Sequence, residues 1–107
     1  MKNNKLPERP CTIPTILEVL KNVVDPEVGI NIVDLGLIFG VWIGREELFV
    51  EFTATSPGCP AVEEIGSMIV DELKMAFNRE KISANVVWHT PWDQSFMAED
   101  ARIALGY

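Results

Sequence analysis

The chain has 107 residues, 48% of them hydrophobic and 23% charged, proportions that suit one globular domain and lie far from the disordered range. Sixteen acidic residues against nine basic ones give a formal charge of -7, which speaks against a nucleic-acid surface, because phosphate binding needs clustered Lys and Arg. No apolar run nears the roughly 20 residues that span a bilayer, and the opening "MKNNKLPERPC" has no apolar signal region, so the expectation is a cytoplasmic protein without membrane contact.

Residues 1–12 are rich in Lys, Asn and Pro and lack an apolar period, which predicts a mobile arm carrying Cys11; residues 13–107 then form a single domain. From Pro14 the spacing of Ile16, Leu17, Leu20, Val23 and Val24 predicts a helix that Thr15 and Glu18 open as a capping box and Pro26 ends. "DPEVGINIVDLGL" follows as an irregular loop with carboxylates at Asp25, Glu27 and Asp34. Either these shape a site or Asp25 and Asp34 only accept bonds from nearby backbone amides.

Leu37 to Ile43 alternates Leu37, Phe39, Val41 and Ile43 against Ile38, Gly40 and Trp42, the period of a strand. Leu48 to Thr55 alternates likewise and pairs back antiparallel across the turn at Gly44 to Glu46. After Ser56-Pro57-Gly58, Val62, Ile65, Met68, Ile69, Leu73, Ala76 and Phe77 fall at helical spacing. Ile82 to Trp88 is a third strand reached by that helical crossover, and Asp93 or Ser95 opens a short final helix that Gly106 caps. The order α-β-β-α-β-α predicts an α+β two-layer sandwich, a small three-stranded sheet with helices on one face. Trp42, Phe49 and Val87 fall on the other face, which a partner chain or the tail could cover.

The two cysteines show no C-x-x-C spacing and are read as free thiols. Cys59 stands between the turn and Pro60. Taken as N-cap with Pro60 at N1, its thiol faces the free amides of the first turn, which favour a thiolate, while Glu63 and Glu64 oppose it. Ser, Thr, Asp or Asn would cap better, so a thiol there suggests chemistry; a buried small side chain is the plain alternative. A nucleophile would need His89, the single histidine, as base. A dithiol reaction would need Cys11. An iron-sulfur cluster is held by four Cys, or Cys with His. Cys59 would therefore need a second chain, Asp34 or His89, or a partner owning the missing ligands.

Three segments, "DPEVGINIVDLGLI", "TATSPGCP" and the tail positions Pro91-Trp92, Met97, Arg102 and Leu105-Gly106, stand in order. With them the chain resembles the SufT and PaaD-like family of iron-sulfur cluster assembly factors from Thr15 to Tyr107. The resemblance implies a small α+β domain, often a homodimer, that assists cluster maturation without turning over a substrate. It places the family cysteine on Cys59 and its acidic loop on Asp25, Glu27 and Asp34. Around them it gathers Thr53, Thr55, the turn Ser56, Pro57 and Gly58, and Arg102; the plain alternative is that Arg102 only pairs with Asp34 or another carboxylate. Trp92 and Met97 read as packing anchors for the tail. The implied cofactor is a transient iron-sulfur cluster or none, and the implied partners are the assembly machinery and client apoproteins. This sequence departs from the pattern at Thr90, where many relatives have proline, and at Ala98, where many have Ser or Thr; nearby His89 stands as a further ligand candidate. PaaD proteins carry a longer, cysteine-bearing C-terminal region, so the expectation is a short SufT-like protein. An interaction adaptor using the exposed sheet face, or a Cys59/His89 thiol enzyme, are the alternatives.

Overall fold

The computed structural model describes residues 10–56, 60–89 and 91–106. Helix α1 spans Ile13–Leu20, strands β1 and β2 span Ile38–Ile43 and Glu47–Phe52, and helix α2 spans Val62–Ala76. Strand β3 spans Lys81–Val86, a short 3-10 turn covers Gln94–Phe96, and helix α3 spans Glu99–Leu105. The sheet order is β1-β2-β3, antiparallel between the first two and parallel between the last two. A parallel pair needs a crossover connection, and α2 supplies it. This is the α+β sandwich that the pattern predicts, with β2 in the centre.

The core lies between the sheet and the first two helices. Leu48, Val50 and Phe52 alternate inward from β2, and Ile65, Ile69 and Leu73 form the matching stripe of α2. Ile16 and Leu20 of α1 close it, both fully buried. Each such aliphatic side chain contributes about 1.5–3 kcal/mol by leaving water.

Several boundaries differ from the sequence reading. Thr12, not Thr15, caps α1: its hydroxyl accepts from the Thr15 amide at 3.4 Å, and the Thr15 hydroxyl accepts from the Thr12 amide at 3.0 Å. That reciprocal pair starts the helix at Ile13, with Pro14 in the first turn, where a missing N–H costs nothing. The helix ends at Leu20, before Pro26; Val23 is still buried, but Val24 sits in an isolated bridge to Asn31. Cys11 is a free thiol, half-buried against the core.

In β1 the strict alternation breaks. A bulge between Ile38 and Gly40 shifts the register, so Ile38 opposes the inward Phe52 and Val41 opposes the inward Val50. Phe39 is the extra residue, and a bulge re-aims such a side chain. Its ring meets His89 and Phe96 edge-on at centroid distances of 6.1 and 6.0 Å. On the outer face Trp42 tilts against its cross-strand neighbour Phe49 at 5.4 Å and stays 52% exposed.

The C-terminal helix also divides. Asp93 caps the 3-10 turn by accepting from the Ser95 amide at 3.1 Å, Met97 returns to extended backbone, and α3 starts only after Ala98. Ala98 has no side-chain oxygen to cap with, and Gly106 ends the helix with a left-handed φ of 85°. Ile103 lies 67% exposed, so Met97 and Ala101 are the residues that anchor this end.

Candidate functional site

The loop from Val23 to Leu37 is built by backbone bonds before any side chain acts. The Asp25 amide donates to the Ile30 carbonyl at 3.0 Å, and the Asp25 carbonyl accepts from Gly29 at 2.8 Å, with Gly29 at φ 81°. Ile32 then donates to Val23, Leu37 to Ile32, and Thr53 to Leu37, at 2.9, 3.0 and 2.8 Å. The acidic loop and the first residue after β2 therefore belong to one hydrogen-bonded unit, and Thr53 leads directly toward the segment that carries Cys59.

Within this unit the two predicted oxygens are the buried polar residues. Asp25 and Thr53 are both 0% exposed. Asp25 Oδ1 accepts from the Glu27 amide at 2.8 Å, the backbone role that Asp plays in turns. Among the described residues its Oδ2 has no partner, and neither does the Thr53 hydroxyl. Leaving a buried polar group unpaired costs about 1–3 kcal/mol, so two such oxygens in one unit mark a place where the fold carries a cost that packing alone does not require.

Asp34 is held differently. Its Oδ2 accepts from the Asn31 side-chain amide at 3.0 Å, while Asn31 Oδ1 accepts from the Val33 and Asp34 amides at 3.1 and 2.9 Å. Lys21 Nζ lies 3.9 Å from Asp34 Oδ1, and both side chains are partly exposed. Arg102, read as a partner for Asp34 or another carboxylate, lies exposed on α3. The tail reaches the loop through other atoms: the Trp92 indole donates to the Leu35 carbonyl at 2.7 Å, and the Ala98 amide donates to the Asp34 carbonyl at 2.7 Å. Asn31 and the Ala98 amide were invisible in the pattern; the Asn-x-x-Asp spacing at Asn31 and Asp34 was the one signal, since Asn organises turns through its own backbone.

Glu27 and Ser56 are exposed and Thr55 is half-buried. His89 is exposed, its ring against Phe39. Pro57, Gly58 and Cys59 lie outside the described residues, and among the described residues no three His, Cys, Asp or Glu side chains form a metal-holding group. The capping assignment changes. Ala61 is the N-cap of α2, without a side-chain bond, and Pro60 stands in the turn before it. Cys59 therefore precedes the cap by two positions and is not itself the capping residue.

The family model described as "Iron-sulfur cluster assembly protein" matches residues 14–86. The Bacillus subtilis Fe-S protein maturation auxiliary factor YitW is 38% identical over 85% of this chain and 90% of its own. The Staphylococcus aureus Fe-S protein maturation auxiliary factor SufT is 39% identical over 78% of this chain and 97% of its own. The crystal structure of a domain of unknown function 59 protein from Bacillus anthracis superposes with a TM-score of 0.80 at 36% identity, covering 87% of this chain and 90% of that one. This chain therefore belongs to the iron-sulfur cluster assembly protein family, in its SufT-like branch.

Proposed function

We propose that this chain is a non-enzymatic auxiliary factor in the maturation of iron-sulfur proteins, working in the cytoplasm with the assembly machinery and client apoproteins through the thiol of Cys59. The observation that carries the reading is the pair of buried oxygens, Asp25 Oδ2 and Thr53 Oγ1, that have no partner among the described residues, in the unit from which the Cys59 segment departs. The relatives' names, auxiliary factors in maturation, support the assignment. In this reading the cluster is cargo. The Cys59 thiol gives its proton to solvent and the thiolate displaces one donor ligand from iron; a client thiolate later displaces Cys59, which takes up a proton again, so that ligands exchange without net redox change. One thiol per chain cannot complete a cluster's ligand set. The remaining ligands come from a second copy or from the donor and client proteins, which makes the bound state transient.

The test is anaerobic reconstitution with iron and sulfide of the wild type, Cys59→Ser and Cys11→Ser, with bound metal and molar mass read together. Wild type and Cys11→Ser are expected to hold a visible-absorbing species that Cys59→Ser lacks. Equal loading of all three, or no bound iron in any, removes direct cluster handling by Cys59.

A further inference from the structure

The sheet has two edges, and they are treated differently. β1 carries the bulge at Ile38 and Gly40, the kind of irregularity that stops edge pairing. β3 is regular, in unbroken register with β2 from Lys81 to Val86. The Lys81 amide donates to the Glu46 carbonyl at 2.9 Å and the Val87 amide to the Phe52 carbonyl at 2.8 Å. In a parallel ladder every second residue turns both its N–H and its C=O to the same neighbour. Lys81, Ser83, Asn85 and Val87 therefore face β2, and the amides and carbonyls of Ile82, Ala84 and Val86 face the open edge. Their side chains meanwhile pack against the core.

Beside that edge runs a groove of about 520 Å³ between β3 and α2. Val62, Gly66 and Val70, four residues apart on one helix stripe, form its far wall, with Phe52 in the floor. Gly66 keeps the wall low: a Cβ there would already stand 3.4 Å from the Phe52 ring. Ala84 and Val86 form the strand side, and Glu63 and Asp71 are the charged residues of the lining, without a cation among them. None of these residues belongs to the Cys59 site, although Val62 follows Cys59 by only three positions.

We propose that the β3 edge and the α2 groove bind an extended segment of a partner protein as a fourth strand, whose groove-facing side chains, every second one, include both apolar residues and Lys or Arg. Backbone bonds to Ile82, Ala84 and Val86 supply the affinity, and the apolar groove takes every second side chain. Charge selects the occupant. The groove is acidic and the chain carries -7, so a second copy would bring the same carboxylates against it, whereas a basic strand complements them. The surface does not depend on the role of Cys59, and its test involves no cluster.

The probe is an acetylated nonapeptide with valine at positions 1, 5 and 9, lysine at 3 and 7 and threonine between, so that valine and lysine share one face, titrated to millimolar into isotopically labelled protein, with the peptide carrying glutamate in place of lysine as comparison. Amide exchange at Ile82, Ala84 and Val86 is expected to slow about tenfold or more at saturation, with Ser83 and Asn85 unaffected because their amides already pair with β2. Ala84→Pro removes only an edge donor, which an edge strand tolerates. It is expected to weaken binding about tenfold while the urea midpoint is kept. Should that variant unfold, Gly66→Leu, which fills the groove from the helix side, is expected to give the same loss. Unchanged exchange at the three amides overturns the proposal. So does equal slowing by the glutamate peptide, or protection that rises with protein concentration alone, which would assign the edge to a second copy.

Discussion

Thr53→Val replaces a buried hydroxyl by a methyl group of nearly the same shape. In the structure the Thr53 residue is 0% exposed and its hydroxyl has no partner among the described residues, while the Thr53 backbone keeps its bond to Leu37. Removing an unsatisfied hydroxyl without changing the volume recovers its desolvation penalty, about 1–3 kcal/mol. For a chain of this length that corresponds to a rise in Tm of about 4 °C per kcal/mol. The expected result is a variant that is more stable to urea and heat, with an unchanged denaturant slope, and less able to support maturation of iron-sulfur enzymes. Paired urea melts and thermal scans measure the first half; activity of a cluster enzyme in complemented cells measures the second. A loss of about 1 kcal/mol or more in Thr53→Val would show that the hydroxyl is bonded in the native protein and merely structural. Gain of stability with full activity would equally refute the idea that the unpaired oxygen is kept for function.

The remaining predictions concern the brace between the tail and the acidic loop. Gly36 has φ 76°, and a Cβ there would meet the Phe96 carbonyl oxygen at 2.1 Å; Gly36→Ala should therefore cost about 2–4 kcal/mol in urea unfolding and expose Trp92 by fluorescence. Trp92→Phe keeps the aromatic bulk but leaves the Leu35 carbonyl without its indole donor, a loss of about 1 kcal/mol by the same melts. Asp93 sits below its ordinary value of 3.8 because the Ser95 hydroxyl and amide favour its charged form. A depressed folded-state value gives stability that is full above the unfolded value, near 4, and is lost as pH falls through the folded value. The gap in urea midpoint between wild type and Asp93→Ala should accordingly be constant above about pH 5 and close below about pH 4; a gap that widens in acid would contradict the cap.

The elements were legible because their periods are clean. Leu48, Val50 and Phe52 on one side of a strand, and Ile65, Ile69 and Leu73 on one side of a helix, leave one way to build the core. The bulge at Phe39 was not, since a single inserted residue leaves the composition of β1 unchanged and is decided by what Phe39 can reach, here His89 and Phe96. Likewise Thr12 won the cap over Thr15 because it has the extended backbone and Thr15 answers it from N3. At the site, Asp25 and Thr53 could be named from sequence, but not their burial without partners among the described residues, which is decided by tertiary packing. The pairing of Arg102 with Asp34 was an inference from charge alone. Charge did not decide it: Lys21 stands nearer in the fold, and the tail approaches the loop through a main-chain amide and an indole.

The central claim is that Cys59 carries the function as a thiol. The most direct measurement is the specific activity of a cluster-dependent enzyme, per mole of its polypeptide, in cells lacking this protein and complemented with wild type, Cys59→Ser, Cys11→Ser or His89→Ala at equal expression. Wild type, Cys11→Ser and His89→Ala are expected to restore the enzyme's cluster content and activity, and Cys59→Ser is expected to leave it at the level of the uncomplemented cells. Full restoration by Cys59→Ser would contradict the account and make the protein an adaptor whose surfaces, and not its thiol, serve the client.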